Sequence, residues 1–149
     1  MSEKSQKETS AGGIVYKKDE DGFLWLIIQH SKAKHWGFPK GHIGDKIPNE
    51  KMEEAALREV QEEGGISAQL INHTPFITHY SYKLYNSLRH KTVYYFLMEY
   101  VSGNIKDHDW EVEEALFVPE QEVVKMITYP TDLKAFMEAK EILQKKFNK

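Results

Sequence analysis

Three glutamates crowd one side of a short helical segment in the middle of the chain. Glu59, Glu62 and Glu63 stand at i, i+3 and i+4 in the run REVQEEGGI, and residues at those spacings project from the same face of an α-helix. Like charges so placed destabilise an isolated helix by roughly 0.2–0.5 kcal/mol per pair. Because a bound cation would remove that repulsion, the segment predicts a helix that carries a cation site.

The same segment has the buried face and the end signal of a helix. Its apolar residues recur every three to four positions, at Met52, Ala55, Ala56 and Val60, as a core-facing stripe requires. Either Gly64 or Gly65 supplies the left-handed residue that commonly ends a helix.

Strand and helix signals alternate along the rest of the chain. Residues 11–16 and 23–28 are β-type runs on either side of an Asp-Gly turn, and they predict a hairpin. Further strands are predicted at 66–71, 92–100 and 115–118, and further helices at 119–126 and 132–147. The last helix has a predicted apolar face made of Leu133, Phe136, Met137, Ile142 and Leu143. Strands mixed with helices at these lengths predict an α/β fold with helices on both faces of a mixed sheet.

Composition excludes several classes of protein but does not identify the function. A length of 149 residues favours one domain, with the polar residues 1–8 as a flexible tail and 9–149 as the domain. The absence of cysteine excludes disulfides and thiolate sites, and no apolar run approaches the roughly 18 residues of a membrane span. A net charge of −3 argues against a general nucleic-acid binder. A cytoplasmic protein is the default expectation.

Residues 44–66 also follow a fixed pattern of identities. The pattern comprises Gly44, Glu50, the pair Arg58-Glu59, the pair Glu62-Glu63 and Gly65. With roughly 7% usage per residue type, seven fixed identities arise by chance on the order of 10⁻⁸ times per start site. The segment resembles the signature box of the Nudix hydrolases. That resemblance implies an α/β/α sandwich with a mixed sheet between helices.

The resemblance leaves the box glycine to be decided. In relatives this glycine ends a Pro-Lys-Gly or Pro-Gly-Gly turn, and here the similar block WGFPKGH occupies residues 36–42, three residues before Gly44. We favour Gly41 as the structural glycine, because a loop accepts three extra residues at small entropic cost.

The start of the helix is also open from sequence. Pro48-Asn49 is typical of a cap that would begin the helix at Glu50. The family analogy instead keeps Glu50 in the loop, paired with Arg58, and begins the helix near Met52. On one straight helix, residues eight apart are about 12 Å distant along the axis, so the pairing favours the second alternative.

The resemblance implies a hydrolase that uses a divalent cation. Mg²⁺, with Mn²⁺ as an alternative, takes oxygen ligands and bridges to substrate phosphates, and such ions activate the attacking water. Glu59 and Glu63 are the expected direct ligands, together with the Gly41 carbonyl, and Glu62 is a ligand or the general base. Arg58, oriented by Glu50, is expected to position these glutamates. The family often adds a distant carboxylate, and by position the candidate is Glu111.

Substrate-binding residues must come from outside the box. The chain has only two arginines, so phosphate binding would fall to other cationic side chains, Lys40, His42, Lys83 and Lys91. Tyr82 lies sixteen residues beyond Ile66. In the dinucleoside polyphosphate hydrolases of this family, a tyrosine near that distance stacks on a base, a contact worth about 1–3 kcal/mol. Tyr129 is the predicted second stacking residue.

Three functions are compatible with this sequence. The leading one is a Mg²⁺-dependent pyrophosphohydrolase that cleaves diadenosine tetraphosphate, or a related dinucleoside polyphosphate, to ATP and AMP. The alternative is a nucleoside triphosphate pyrophosphatase or an RNA 5′-pyrophosphohydrolase. An RNA substrate would require a basic surface patch, and the sequence has only short basic clusters, at 32–35 and 89–91. The third is a catalytically silent nucleotide-binding domain, which would be expected to lose box glutamates.

Overall fold

The structure is a computed structural model that describes residues 5–44 and 46–147. Eight strands, three helices and one short 3₁₀ turn (Ile105–Asp107) are present in these residues. In chain order the strands and helices are β1 (Ser5–Asp19), β2 (Gly22–His30), β3 (Trp36–Gly37), β4 (Lys40–His42), α1 (Met52–Gly64), β5 (Ile66–Leu70), β6 (Phe76–Leu84), β7 (Ser87–Gly103), β8 (Val112–Val118), α2 (Glu120–Met126) and α3 (Pro130–Phe147).

A mixed sheet forms the middle of the molecule. Strand β1 pairs in parallel with β7 and antiparallel with β2 and β4, and it therefore sits at the centre. β7 also pairs with β5 and β6, while β2 also pairs with β3 and β8. The predicted β1–β2 hairpin is confirmed, with its turn between Asp19 and Gly22.

Helices cover both faces of this sheet, as predicted. On one face, α1 buries Ala55, Ala56 and Val60 against Leu26 and Phe96 of the sheet. On the other face, α2 and α3 pack on a second core, which includes Tyr16, Trp25, Tyr95, Val123 and Phe136. Strands with two apolar faces are expected where a sheet is covered on both sides. The architecture is the predicted α/β/α sandwich.

The observed bounds of α1 show which of the two predicted helix starts is correct. The helix begins at Met52 and leaves Glu50 in the preceding loop. It ends at Gly64, and the following cap residue, Gly65, has the left-handed φ of 77° that glycine adopts without steric cost. The analogy with the family was therefore the better guide than the Pro48-Asn49 signal.

Three sequence predictions differ from the structure. The flexible tail predicted for residues 1–8 is wrong for residues 5–8. These polar residues extend β1, because they pair in parallel with β7, for example Glu8 with Lys91. Residues 1–4 lie outside the described residues. Strand β6 was not predicted. Met137 is exposed rather than part of the apolar face of α3, because the core-facing stripe runs through Ala135, Phe136 and Ala139.

Among the described residues, none of the helices has the length and apolar character needed to cross a membrane.

Candidate active site

Arg58 joins the loop before α1 to the acidic face of the helix. Its Nε donates to Glu50 Oε2 at 2.9 Å and its Nη2 donates to Glu50 Oε1 at 2.8 Å. Paired donors of this kind are the strong form of an arginine–carboxylate contact. The arginine hydrogen bonds hold the pKa of Glu50 below its usual value. The pairing expected from the family analogy is present.

The remaining Arg58 donors face the helix glutamates. Nη1 lies 3.2 Å from Glu59 Oε1 and 2.9 Å from Glu62 Oε2, and Lys46 forms a short ion pair with Glu62. Burial opposes ionisation of Glu62, but the hydrogen bonds from Lys46 and Arg58 outweigh it and lower the pKa of this carboxyl. Glu62 is therefore ionised at neutral pH.

Glu59 and Glu63 occupy a different environment, because both are buried. Burial raises the pKa of Glu59, with Arg58 opposing the shift and Glu62 adding to it. Burial also raises the pKa of Glu63, to about 8, although the Lys40 backbone N–H donates to Glu63 Oε1 at 3.0 Å. Two neighbouring buried carboxylates that are costly to ionise are the groups whose charge a divalent cation would neutralise.

The residues present fit a Mg²⁺-type ion, although the protein side chains do not form a complete cage. Among the described residues, no three histidine or carboxylate side chains are grouped as a ready metal site, since Glu62 is turned towards Lys46 and Arg58. Mg²⁺ requires only one or two carboxylates, completed by water and substrate phosphate oxygens. Glu59, Glu63 and the Gly41 carbonyl supply oxygen donors of that kind.

Both candidate box glycines are required, for different reasons. A Cβ on Gly41 would lie 1.6 Å from Glu59 Oε2, so any side chain there would displace the Glu59 carboxylate. Gly44 has a φ of 84° and open space around it, so its constraint is the backbone turn. Gly41, which we favoured from the sequence, is thus the glycine in contact with the helix carboxylates, and Gly44 serves the turn that follows it.

The buried carboxylates line a small acidic cavity. Its volume is about 260 Å³, and Glu111 closes one side of it. Glu111 also adds to the repulsion that Glu59 experiences. The structure therefore brings the distant carboxylate suggested by the family pattern to the helix glutamates. Lys40, His42 and Lys91 line the same cavity.

A larger aromatic cleft of about 510 Å³ adjoins the acidic cavity. Tyr80, Tyr82 and Tyr129 line it, so the two predicted stacking residues do lie together. The Tyr80 and Tyr129 rings are parallel within 9°, with centroids 6.5 Å apart. Sequence reasoning missed Tyr80, although its spacing of two from Tyr82 places both on one face of a strand.

Three residues belong to both cavities and connect them. They are Lys40, Lys91 and His30. Burial, followed by repulsion from Lys40, lowers the pKa of Lys91 to about 8. Burial, again with Lys40, lowers the pKa of His30 to about 4, so His30 is neutral at physiological pH. His30 was not predicted, since an isolated histidine at a strand end gives no sequence signal.

The lysine at position 83 does not join this group. It is exposed and is not among the residues that line the acidic cavity or the aromatic cleft. Phosphate binding by Lys83 stays a prediction. His42 does line the acidic cavity, with its Nε2 3.8 Å from Glu8 Oε2.

Comparison with known proteins agrees with this fold. The profile of the NUDIX domain matches residues 7–140, and the chain belongs to the Nudix family. The MutT4 protein of Mycobacterium tuberculosis (strain CDC 1551 / Oshkosh) is 32% identical over 144 residues, which cover 93% of this chain and 56% of that protein. The bis(5′-nucleosyl)-tetraphosphatase (asymmetrical) of Sus scrofa is 38% identical over 101 residues, which cover 66% of this chain and 62% of the relative. The chain thus spans 56% to 62% of the length of these curated relatives.

Solved structures show the same fold. The Caenorhabditis elegans Ap4A hydrolase binary complex superposes with a TM-score of 0.73 at 22% identity, covering 94% of this chain and 99% of that one. The NUDIX domain of Shewanella oneidensis NrtR, complexed with ADP ribose, superposes with a TM-score of 0.69 at 19% identity. The superposition covers 92% of this chain and 88% of that one. At these identities the likeness establishes the fold.

Proposed function

We propose that the protein is a Mg²⁺-dependent hydrolase of dinucleoside polyphosphates, which cleaves substrates such as diadenosine tetraphosphate to ATP and AMP. The main observation in support of this proposal is that two different cavities adjoin each other. A carboxylate-lined cavity that suits a metal and phosphate lies beside an aromatic cleft that suits a base, and Lys40 and Lys91 line both. The similarity to the Sus scrofa tetraphosphatase supports the same substrate class.

Each end of the site has a distinct task in this proposal. The parallel faces of Tyr80 and Tyr129 stack on a base, and Tyr82 contributes a third aromatic surface. Lys40 and Lys91 bind the polyphosphate as it passes between the cavities. His42, at the wall of the acidic cavity, contacts a phosphate.

Glu59, Glu63 and the Gly41 carbonyl would hold Mg²⁺, with Glu111 as an additional ligand. The ion would neutralise phosphate oxygens and lower the pKa of a bound water. Glu62 remains ionised because Lys46 and Arg58 hold it, and this charge state suits a group that accepts a proton from water. Arg58 acts as a positioning residue, since it links Glu50 to the catalytic glutamates.

Product analysis tests the proposal directly. The purified protein is incubated with Mg²⁺ and diadenosine tetraphosphate, and nucleotides are separated by chromatography. We expect ATP and AMP in equal amounts. Two ADP molecules would contradict the asymmetric cleavage. Untouched substrate, with hydrolysis of nucleoside triphosphates instead, would reject the proposed substrate class in favour of a triphosphate pyrophosphatase.

Conservative variants separate an enzyme from a silent binding domain. Glu62→Gln and Glu63→Gln should each lower kcat by orders of magnitude while the melting temperature stays close to that of the wild type. Glu53→Gln is the matched control, because it lies on the same helix but pairs with His73 at 3.6 Å, away from the cavity. Equal loss of activity in the control would contradict the assignment of the acidic cavity as the catalytic site.

A further inference from the structure

Asp132 is a buried carboxylate that lines the aromatic cleft and has no role in the proposed hydrolysis. It lies in the first turn of α3 and is 5% exposed, and its backbone N–H donates to the Tyr129 carbonyl at 3.1 Å. It lines the cleft together with Tyr80 and Tyr129. A carboxylate in so apolar a place is costly unless both oxygens have partners.

Among the residues that the structure describes, only one of its two oxygens has a hydrogen-bond partner. The Tyr95 hydroxyl donates to Oδ1 at 2.8 Å, and Tyr95 is itself fully buried in β7, which fixes the orientation of the carboxylate. No other side-chain hydrogen bond to Asp132 is found among the residues that the structure describes. A Cβ on Gly37 would lie 3.4 Å from Oδ2, so the lack of a side chain there leaves this oxygen accessible from the cleft.

The pKa of Asp132 is raised overall, because burial outweighs the neighbouring groups that favour the ionised form. Burial raises the pKa of Asp132, while the Tyr95 hydroxyl and the positive charges of Lys40 and Lys91 oppose that shift. An ionised carboxylate accepts hydrogen bonds and donates none. In its ionised form Asp132 is therefore satisfied by a ligand that presents hydrogen-bond donors, such as the N–H groups of a base.

We propose that Asp132 selects the base that stacks on Tyr80 and Tyr129, and that it favours guanine over adenine. The Watson–Crick edge of guanine carries two adjacent donors, N1–H and the N2 amino group, which match the two oxygens of a carboxylate. Adenine offers one donor, its N6 amino group, beside the N1 lone pair. That lone pair would face the second carboxylate oxygen and leave the contact partly unsatisfied.

This inference rests on the proposed function, and it refines the substrate class to dinucleoside polyphosphates with at least one guanine. A good bidentate contact to a base is worth about 1–3 kcal/mol of discrimination, which corresponds to a ratio of roughly 5- to 150-fold in kcat/KM. Stacking contributes little to this ratio because it tolerates base identity.

The first test uses the wild-type chain and three substrates at pH 8 with Mg²⁺. Diguanosine, diinosine and diadenosine tetraphosphate differ at the edge that Asp132 would contact, because inosine keeps N1–H but lacks the N2 amino group. We expect kcat/KM to fall in the order guanine, inosine, adenine. Equal values for the three substrates, or a preference for adenine, would overturn the inference.

The second test exchanges the acceptor for an amide. Asp132→Asn keeps an oxygen for the Tyr95 hydroxyl but offers N–H where guanine also donates, so the guanine-to-adenine ratio should fall to about one or invert. Glu138→Gln makes the same chemical change at an exposed position of α3 and should keep the wild-type ratio. A thermal melt verifies folding, and a folded Asp132→Asn protein that retains the wild-type ratio refutes the assignment.

The two proposals fail in different ways. If none of the dinucleoside polyphosphates is hydrolysed, the proposed function fails, and the dissociation constants of GMP and AMP then test base selection without turnover. Tighter binding of GMP that is lost in Asp132→Asn supports the inference, and equal binding overturns it. If all three substrates are hydrolysed equally well, the proposed function stands and base selection by Asp132 fails.

Discussion

Replacing Arg58 by methionine should destabilise the protein strongly, because it would leave a buried carboxylate without its partner. The Glu50 side chain is 2% exposed and that of Arg58 is 16% exposed, and two hydrogen bonds of 2.8 and 2.9 Å join them. Removing one member of such a buried pair costs about 3–5 kcal/mol. At this chain length each kcal/mol shifts Tm by roughly 2–4 °C, so the expected loss is about 6–20 °C.

Urea denaturation of four proteins measures this effect as a double-mutant cycle. The set is the wild type, Arg58→Met, Glu50→Gln and the double variant. The double variant should be destabilised less than the sum of the single variants by about 1 kcal/mol or more, because it leaves no buried charge unpaired. Lys145→Met is the matched control, since Lys145 and Glu141 form an exposed pair, at 73% and 67% exposure, which should change stability by at most about 0.5 kcal/mol.

The pH dependence of the effect has a defined sign. Arg58 lowers the pKa of Glu50 below its ordinary value of 4.5. The stabilisation is therefore fully present above pH 4.5 and is lost as the pH falls through the folded-state pKa. The difference between wild type and Arg58→Met should shrink on acidification over that range. A pH-independent difference, or a cost no larger than that of Lys145→Met, would refute the reasoning.

Three further changes test the site. Gly41→Ala should lower kcat by about 10²-fold. The new Cβ would overlap Glu59 Oε2, and a displacement of a catalytic group by about 1 Å can cost this much. Unchanged kcat in steady-state kinetics would contradict this expectation. The pKa of Lys91 is lowered to about 8, so Lys91 loses its charge as the pH rises through 8. KM should rise over that range in the wild type and stay flat in Lys91→Met. Tyr129→Ala should raise KM by roughly 5- to 150-fold, as expected for a lost stacking contact, whereas Tyr85→Ala, at the 93% exposed hairpin tip, should leave KM unchanged.

The sequence was a good guide where the relevant contacts are local. The helix α1, its buried stripe and its glycine terminus follow from spacings within one short segment. The β1–β2 hairpin follows from two β-type runs and an Asp-Gly turn. The pairing of Glu50 with Arg58 required the family resemblance, because the local cap signal at Asn49 pointed to a different helix start.

Prediction failed where partners are distant in the chain. Residues 5–8 have no apolar pattern, and they form a strand only because β7 supplies hydrogen-bonding partners more than 80 residues away. Lys83 was chosen by charge alone, and it is not among the residues that line the two cavities. Strand pairing and the position of a strand residue relative to a site depend on register, which the local sequence does not specify.

By itself, the sequence determined the acidic helix, its supporting arginine and the family, since these depend on residue types at fixed short spacings. Only the tertiary structure decided what surrounds that helix. Packing of α3 against the sheet brings Asp132, with the preceding Tyr129, to Tyr80 and Tyr95. Strands β4 and β7 place Lys40 and Lys91 between the two cavities. The glutamates of the proposed catalytic site are thus set by one helix, whereas the proposed base-binding cleft exists only through long-range packing between the sheet and α3.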